Sequence, residues 1–298
     1  MEKHVSIHDQ INSNTWNSVF LTIMVIGVLF SLLYVFSQIY DPTMTSFFLF
    51  FGGAFVIADA IFSYYYGDKV VLAATGAKAA DPRKHAHLVN LVDGLAIAAG
   101  IPTPKAYVIE SPEINAFATG RDPQHASIAV TTGLLGLLDR EEIEGVIGHE
   151  MSHIKNYDIR FATLVAVLVG LIAIISNLFM RSYRFRSRND NRRSSGGGIF
   201  VIAGFLLAIF SPIIVRFVQA AVSRQREFLA DASGAKLTRY PPGLADALEK
   251  IKKNNQGNMD VSEAVSHLFF TDPNKSALDS LYATHPPIDE RIKVLRAM

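Results

Sequence analysis

Four runs in this sequence are too apolar to be left facing water, and they limit what the chain can fold into. Val19–Ile39 and Phe161–Met180 carry no charge, and Phe47–Tyr66 carries only Asp59. Ile199–Val215 is also uncharged but is shorter and interrupted by Pro212. A helix needs about 20 predominantly apolar residues to cross a bilayer, and all four runs fall within that window. They account for a composition that is 50% hydrophobic and only 18% charged, with 20 Phe. The first run is too long for a signal-peptide core and lacks a clear small-residue cleavage site, so it reads as a retained anchor.

The polar segments between the runs set an expected sidedness. Tyr40–Ser46 holds Asp41 and no Lys or Arg, whereas Gly67–Asp158 holds eight Lys/Arg. Because cytoplasmic loops collect Lys and Arg, a multi-pass protein of the cell membrane is expected, with Gly67–Asp158 in the cytoplasm. Arg181–Gly198, with six Arg and one Asp, reads as a flexible solvated loop. The third and fourth runs either both cross or form a hairpin that does not. In both cases parity returns the chain to the side it left. The expected organisation is a two-span anchor (1–66), a first catalytic part (67–158), a hydrophobic hairpin (159–220) and a second catalytic part (221–298). A net charge of +1 gives no electrostatic case for nucleic acid, and with no Cys neither disulfides nor thiolate metal ligands are possible.

The chemistry is concentrated in Asp139–Asp158 (DREEIEGVIGHEMSHIKNYD). In this segment Asp139 can cap a helix, Glu142 can complete a capping box, and acids in the first turns suit the dipole. His149 and His153 are four apart, hence on one helical face, where two imidazoles can grip one metal ion. Glu150 can then act on a water at that metal without being a ligand. By composition alone such a match is expected roughly 0.01 times in a chain of this length, so its context has to support it. A hydrolytic zinc site needs three protein ligands and an open position. Glu227, after the fourth run, is the best third candidate, and Asp231, one turn further on, can orient a ligand imidazole. The helix of His153 is expected to continue into the third run. The metal would then lie near the membrane surface, since seven residues to Arg160 span about 10 Å.

Ala86–Ala99 reads as an amphipathic helix stopped by Gly100 and Pro102, and Ala106–Ile109, Ala116–Gly120 and Ser127–Thr131 read as strands. Pro242–Asn255 reads as a surface helix, and Ile288–Met298 as a closing helix begun by Thr284 and the prolines after His285. The fold class expected is α+β, mostly α-helical. It would be a zincin-like domain beside a small sheet, anchored by about four transmembrane or membrane-associated helices.

Taken in order, the two N-terminal runs, Asn115–Gly120 (NAFATG), HEMSH, a hydrophobic pair, Glu227–Asp231 (EFLAD) and His285–Pro287 (HPP) resemble the HtpX-type membrane zinc endopeptidases, relatives of the CAAX prenyl endopeptidases. The resemblance covers nearly the whole chain. It implies that His149, His153 and Glu227 bind one Zn²⁺ per chain, with Glu150 as catalytic acid/base. It also implies that Asn115, Ala116, Phe117, Ala118 and Thr119 form a substrate-binding edge strand, exposed so that a peptide backbone can pair with it. A buried hairpin is the plainer reading of those five residues. His285 could donate to the oxyanion of a tetrahedral intermediate or be only a local structural histidine, with Arg291 a weaker candidate for the same task. His267 and the other histidines have no spacing that ties them to the metal.

The expected function is peptide-bond hydrolysis by a metal-activated water. The expected substrates are unfolded or membrane-protein polypeptides at the lipid bilayer, which the resemblance links to quality control of damaged membrane proteins. A zinc-bearing membrane scaffold without proteolytic activity is the alternative. An intact Glu150 and only three evident ligands count against it, because structural zinc sites are usually closed by four.

Overall fold

The computed structural model describes residues 41–164, 166–167, 224–255, 259, 261, 263–271, 273 and 286–298, with scattered helical residues between 16 and 37. Pro42–Ala74, a continuous helical run of 33 residues, is the one helix among the described residues long and apolar enough to cross a membrane. Its main part is α1, Gly53–Ala74. Phe47, Phe50, Phe51, Phe55, Ile61 and Phe62 stay exposed along this run, which suits lipid rather than water. Glycines let the first apolar run pack against it, since a Cβ at Gly52 would meet Leu33 at 2.8 Å. Of the third run only 161–164 and 166–167 are described, and they are helical. The remainder of that run, the Arg-rich loop 181–198 and the fourth run 199–215 lie outside the described residues.

After α1 come β1 (Lys78–Ala79), α2 (Ala86–Ala99), β2 (Lys105–Ile109), β3 (Ala116–Gly120) and β4 (Ala126–Thr131). In α2, Leu88, Leu91, Val92, Leu95 and Ala96 recur at helical spacing and are buried, and Gly100 at φ 68° closes the helix as expected. The strands form one sheet in the order β1-β2-β4-β3, with β2 and β4 parallel and the other pairs antiparallel. β3 is therefore an edge strand, joined to β4 by a short 3₁₀ turn that Asp122 caps.

α3 (Thr132–Leu137) leads into α4 (Arg140–Lys155), which begins with the expected capping box. The Glu142 N–H donates a 3.0 Å hydrogen bond to the Asp139 carboxylate, while the Glu142 carboxylate accepts from Asp139 N–H at 2.8 Å and from Lys250 at 2.6 Å. Eleven of the sixteen α4 residues are buried, from Glu142 to Ile154. A helix buried on so many faces must be wrapped by others. It is enclosed by α2, the sheet, α5 (Arg224–Thr238) and α6 (Pro241–Asn254). The chain is completed among the described residues by α7 (Glu263–Ser266) and α8 (Ile288–Arg296).

Three expectations are corrected by this packing. α6 is not a surface helix: Leu244, Ala245, Ala247, Leu248 and Ile251 enter the main core, because they line one face at spacing 3–4 and meet α4. α4 does not run on into the third apolar run. It stops at Asn156, Tyr157 takes a left-handed φ of 61°, and helix resumes at 158. The third correction concerns exposure of β3, all of which is buried. A second cluster, including Val71, Ile109, Phe117, Met259, Val265 and Phe269, lays Met259 and the described residues 263–271 across that end of the sheet.

α4 meets α5 and α6 at bare backbone. A Cβ on Gly145 would come within 2.7 Å of Leu244 N, and one on Gly234 within 2.7 Å of His149 N. Glycine at these two points sets the helix separation that carries the site. Gly234→Ala should cost about 1–3 kcal/mol by overpacking, read as a lower thermal midpoint by circular dichroism in detergent. It should also weaken metal retention, because the displaced backbone belongs to His149.

Candidate metal centre

His149 and His153 leave α4 on one face, four residues apart, and α5 crosses that face to deliver Glu227. Their metal-capable atoms lie within 4.8 Å of one another. The two Nε2 atoms are 3.1 Å apart, and the Glu227 oxygens stand 3.7 Å from His149 Nε2 and 3.6 Å from His153 Nε2. Donors about 2.0–2.1 Å from a tetrahedral ion sit roughly 3.4 Å from one another, so the three residues fit a zinc-sized cation. The donor set, two imidazoles and a carboxylate, suits the same ion.

The Nδ1 atoms on the far sides of the rings are held. His149 Nδ1 bonds Asp231 at 2.8 Å, and His153 Nδ1 bonds Asp158 at 3.0 Å. Each carboxylate presents its imidazole's Nε2 to the cluster in a fixed orientation. Asp231, named from the sequence as a residue that could orient an imidazole, lies against His149. Asp158 was not expected, and the break at Asn156–Tyr157 is what brings it back against His153.

Arg291 of α8 is fully buried and donates to Asp231 through Nε at 2.8 Å and Nη2 at 2.7 Å. Its Nη2 also lies 3.4 Å from His149 Nδ1, but both nitrogens are donors toward Asp231, so this is packing rather than a bond. Arg291 therefore braces Asp231 from behind the imidazole, which is not the place of an oxyanion donor. His285, expected for that task, lies outside the described residues, as does Thr284.

Burial pulls the His149 pKa down to about 4, more strongly than Asp231 pulls it up. Burial acts the same way on His153, but its bond to Asp158 and the charges of Glu227 and Glu150 push it up to about 9. The two rings are thus shifted in opposite directions, His149 toward the neutral form and His153 toward holding an added proton. A cation at the cluster would compete with that proton for both lone pairs. Burial would raise Asp231, but the Arg291 guanidinium and the His149 bond bring it to about 2.

A cavity of about 60 Å³ opens onto the cluster, with Glu150, Ala118, Phe161 and His267 among its walls. That is room for a few waters next to the Glu150 carboxylate. His267 is thus brought to the site despite its uninformative spacing, with Nε2 3.2 Å from Ala162 O. Of the candidate strand, Ala118 lines the cavity while Phe117 packs away from it against Phe269. The Asn115 side chain is engaged by Thr271, donating to its carbonyl at 2.8 Å and accepting from its N–H at 3.2 Å.

A pocket with room for water at a two-histidine, one-carboxylate cluster, with a further carboxylate on its wall and an apolar span in the same chain, defines a membrane metalloendopeptidase. The comparisons agree. The sequence pattern of peptidase family M48 matches residues 82–298, and the chain belongs to that family. It is 45% identical to the protease HtpX homolog of Caldanaerobacter subterraneus over 278 residues, covering 91% of each chain. Against that of Dictyoglomus turgidum the identity is 40% over 297 residues, covering 99% of this chain and 96% of the other. The crystal structure of S. mikatae Ste24p shares the fold, with a TM-score of 0.52 and 21% identity over 96% of this chain and 66% of that one.

Replacing Asp158 by Asn should keep the fold but lower metal affinity about 10- to 100-fold, measured by competition with a chromogenic chelator. Equal affinity in the variant would show that the 3.0 Å contact to His153 does not orient the ring.

Proposed function

We propose that the chain is a zinc endopeptidase that binds one Zn²⁺ through His149, His153 and Glu227 and hydrolyses peptide bonds at the cytoplasmic face of the cell membrane. The observation that carries this reading is the double support of the cluster: three donors at compatible distances, with each imidazole steadied by its own carboxylate, Asp231 buried and Asp158 partly buried. Zinc there would supply Lewis acidity toward both a water and the scissile carbonyl.

The chain's own residues do the rest. Glu150, buried on the cavity wall, takes the proton of the attacking water and passes it to the leaving amide nitrogen. Asp231, braced by Arg291, and Asp158 keep the two imidazoles facing the cluster. The proposed substrate strand Asn115–Thr119, which overlaps β3, pairs with the extended substrate backbone next to the cavity, at Ala118. His285 is assigned to the developing oxyanion. The two N-terminal runs and the 159–220 pair anchor a catalytic domain assembled from 67–158 and 221–298. This grouping is supported by a single core holding residues of both parts. The substrates are unfolded or damaged membrane proteins, cleaved in quality control.

The test is casein cleavage and zinc content in detergent for wild type and Glu150→Gln. The variant should keep its zinc and lose at least about 10²-fold in turnover, while chelation and zinc add-back reversibly switch the wild type. Zinc bound to both proteins with neither cleaving any unfolded substrate would instead favour the scaffold reading.

A further inference from the structure

The outer edge of β3 is closed at both ends. Asn115 O accepts from Thr131 N–H on the β4 side, so by the alternation of an antiparallel pair the backbone groups of Ala116, Ala118 and Gly120 point outward. Ala116 O is taken by Phe270 N–H at 2.8 Å, and Gly120 N–H by Thr163 Oγ1 at 3.0 Å. Between them stands Ala118, on the cavity wall, whose outward N–H and C=O pair with nothing among the described residues. A substrate strand therefore finds one backbone station, with two hydrogen bonds, rather than a long ladder.

The Gly120 end is fastened to the membrane boundary. Thr163 also bonds Thr119 Oγ1 at 2.8 Å, and its methyl rests on α1, where a Cβ at Gly67 would meet it at 2.9 Å. Gly67 follows the last residue of the second apolar run, and Thr163 lies two residues into the third, so two independently drawn boundaries meet at one contact. The residue after β3, Arg121, stacks on Tyr65 at 4.9 Å, and its carbonyl accepts from Arg160 at 2.7 Å. Tyrosine and arginine at such a level belong to the headgroup layer. The cavity wall itself includes Phe161 and Ala162, the first residues of the third run.

Ala118 is two residues from Gly120, or roughly 7 Å at strand rise. With a headgroup layer of about 5–7 Å, an extended chain leaving the bilayer reaches Ala118 after about four residues. We propose that this enzyme selects juxtamembrane segments, cutting within about five residues of the polar end of a substrate's span. The inference rests on the peptidase reading above. The short ladder explains why anchoring matters: two hydrogen bonds hold a free peptide poorly, whereas a span in the same bilayer keeps its flanking segment at high local concentration.

The experiment uses full-length enzyme co-reconstituted in liposomes with a single-span substrate whose cytoplasmic tail is a tandem array of one peptide that the enzyme cuts in casein. Cut positions are read by mass spectrometry. Cleavage should fall in the repeat nearest the span and stay there when repeats are added. The same array without its span should be cut at least about tenfold less efficiently. Even cutting along the array, or equal efficiency without the span, would overturn the ruler while leaving the peptidase intact. If casein itself is not cut, the peptidase reading fails and this inference falls with it.

Discussion

The arrangement of the site depends on one buried ion pair. Arg291 and Asp231 are each almost completely buried, joined by two hydrogen bonds, and Asp231 spends its other contact on His149. Two charges removed from water cost several kcal/mol each, and the cost is offset only when the geometry is good and both remain paired. Neither can be lost alone, since the survivor would be an uncompensated buried charge. The pair therefore ties α8 to α5 and, through His149, both to α4. Phe270 closes the same corner, with its ring 4.6 Å from the Arg291 guanidinium and 4.9 Å from the His149 ring. The candidate metal cluster is thus braced from α4, α5, α8 and the stretch holding Phe270.

That geography explains what could be read from the sequence. HEMSH and its capping box are local, set by helical periodicity and by a three-residue spacing, so α4 and the face it presents were legible. Glu227 and Asp231 were legible because they too are one turn apart on a helix, beside a motif that asked for a third ligand and an orienting acid. Asp158 was hidden by the assumption that α4 continues: on an unbroken helix it would sit five residues from His153 and point elsewhere. Only the left-handed Tyr157 returns it, and Tyr carries no signal for that conformation as glycine would. Arg291 was considered for chemistry, and its real partner lies 60 residues away in sequence. His267 and the Phe269–Phe270 pair belong to a segment with no regular pattern, so nothing local could say that it crosses the sheet edge.

The same limit applies to β3. Ala116–Gly120 was legible as a short strand, and its edge position followed from topology. What occupies the edge did not. An edge strand needs cover or it becomes a template for pairing with other chains. Here the cover comes from two sources of different character. Phe270 supplies a backbone hydrogen bond from the catalytic domain's own irregular segment, and Thr163 supplies a hydroxyl from the start of the third apolar run. The residue left between them is the one that faces the cavity.

The membrane is therefore more than an anchor in this architecture. A soluble zincin could leave the far end of its edge strand to solvent, and a peptide could thread along it from either direction. In this chain the strand ends where α1 and the helix resuming at 158 meet, at a glycine that allows their close contact. The break after α4 has two consequences from one turn: it returns Asp158 to His153, and it aims the next helix so that Thr163 reaches Gly120. Orientation of a proposed metal ligand and placement of the proposed substrate edge beside the third apolar run are thereby coupled through five residues of chain.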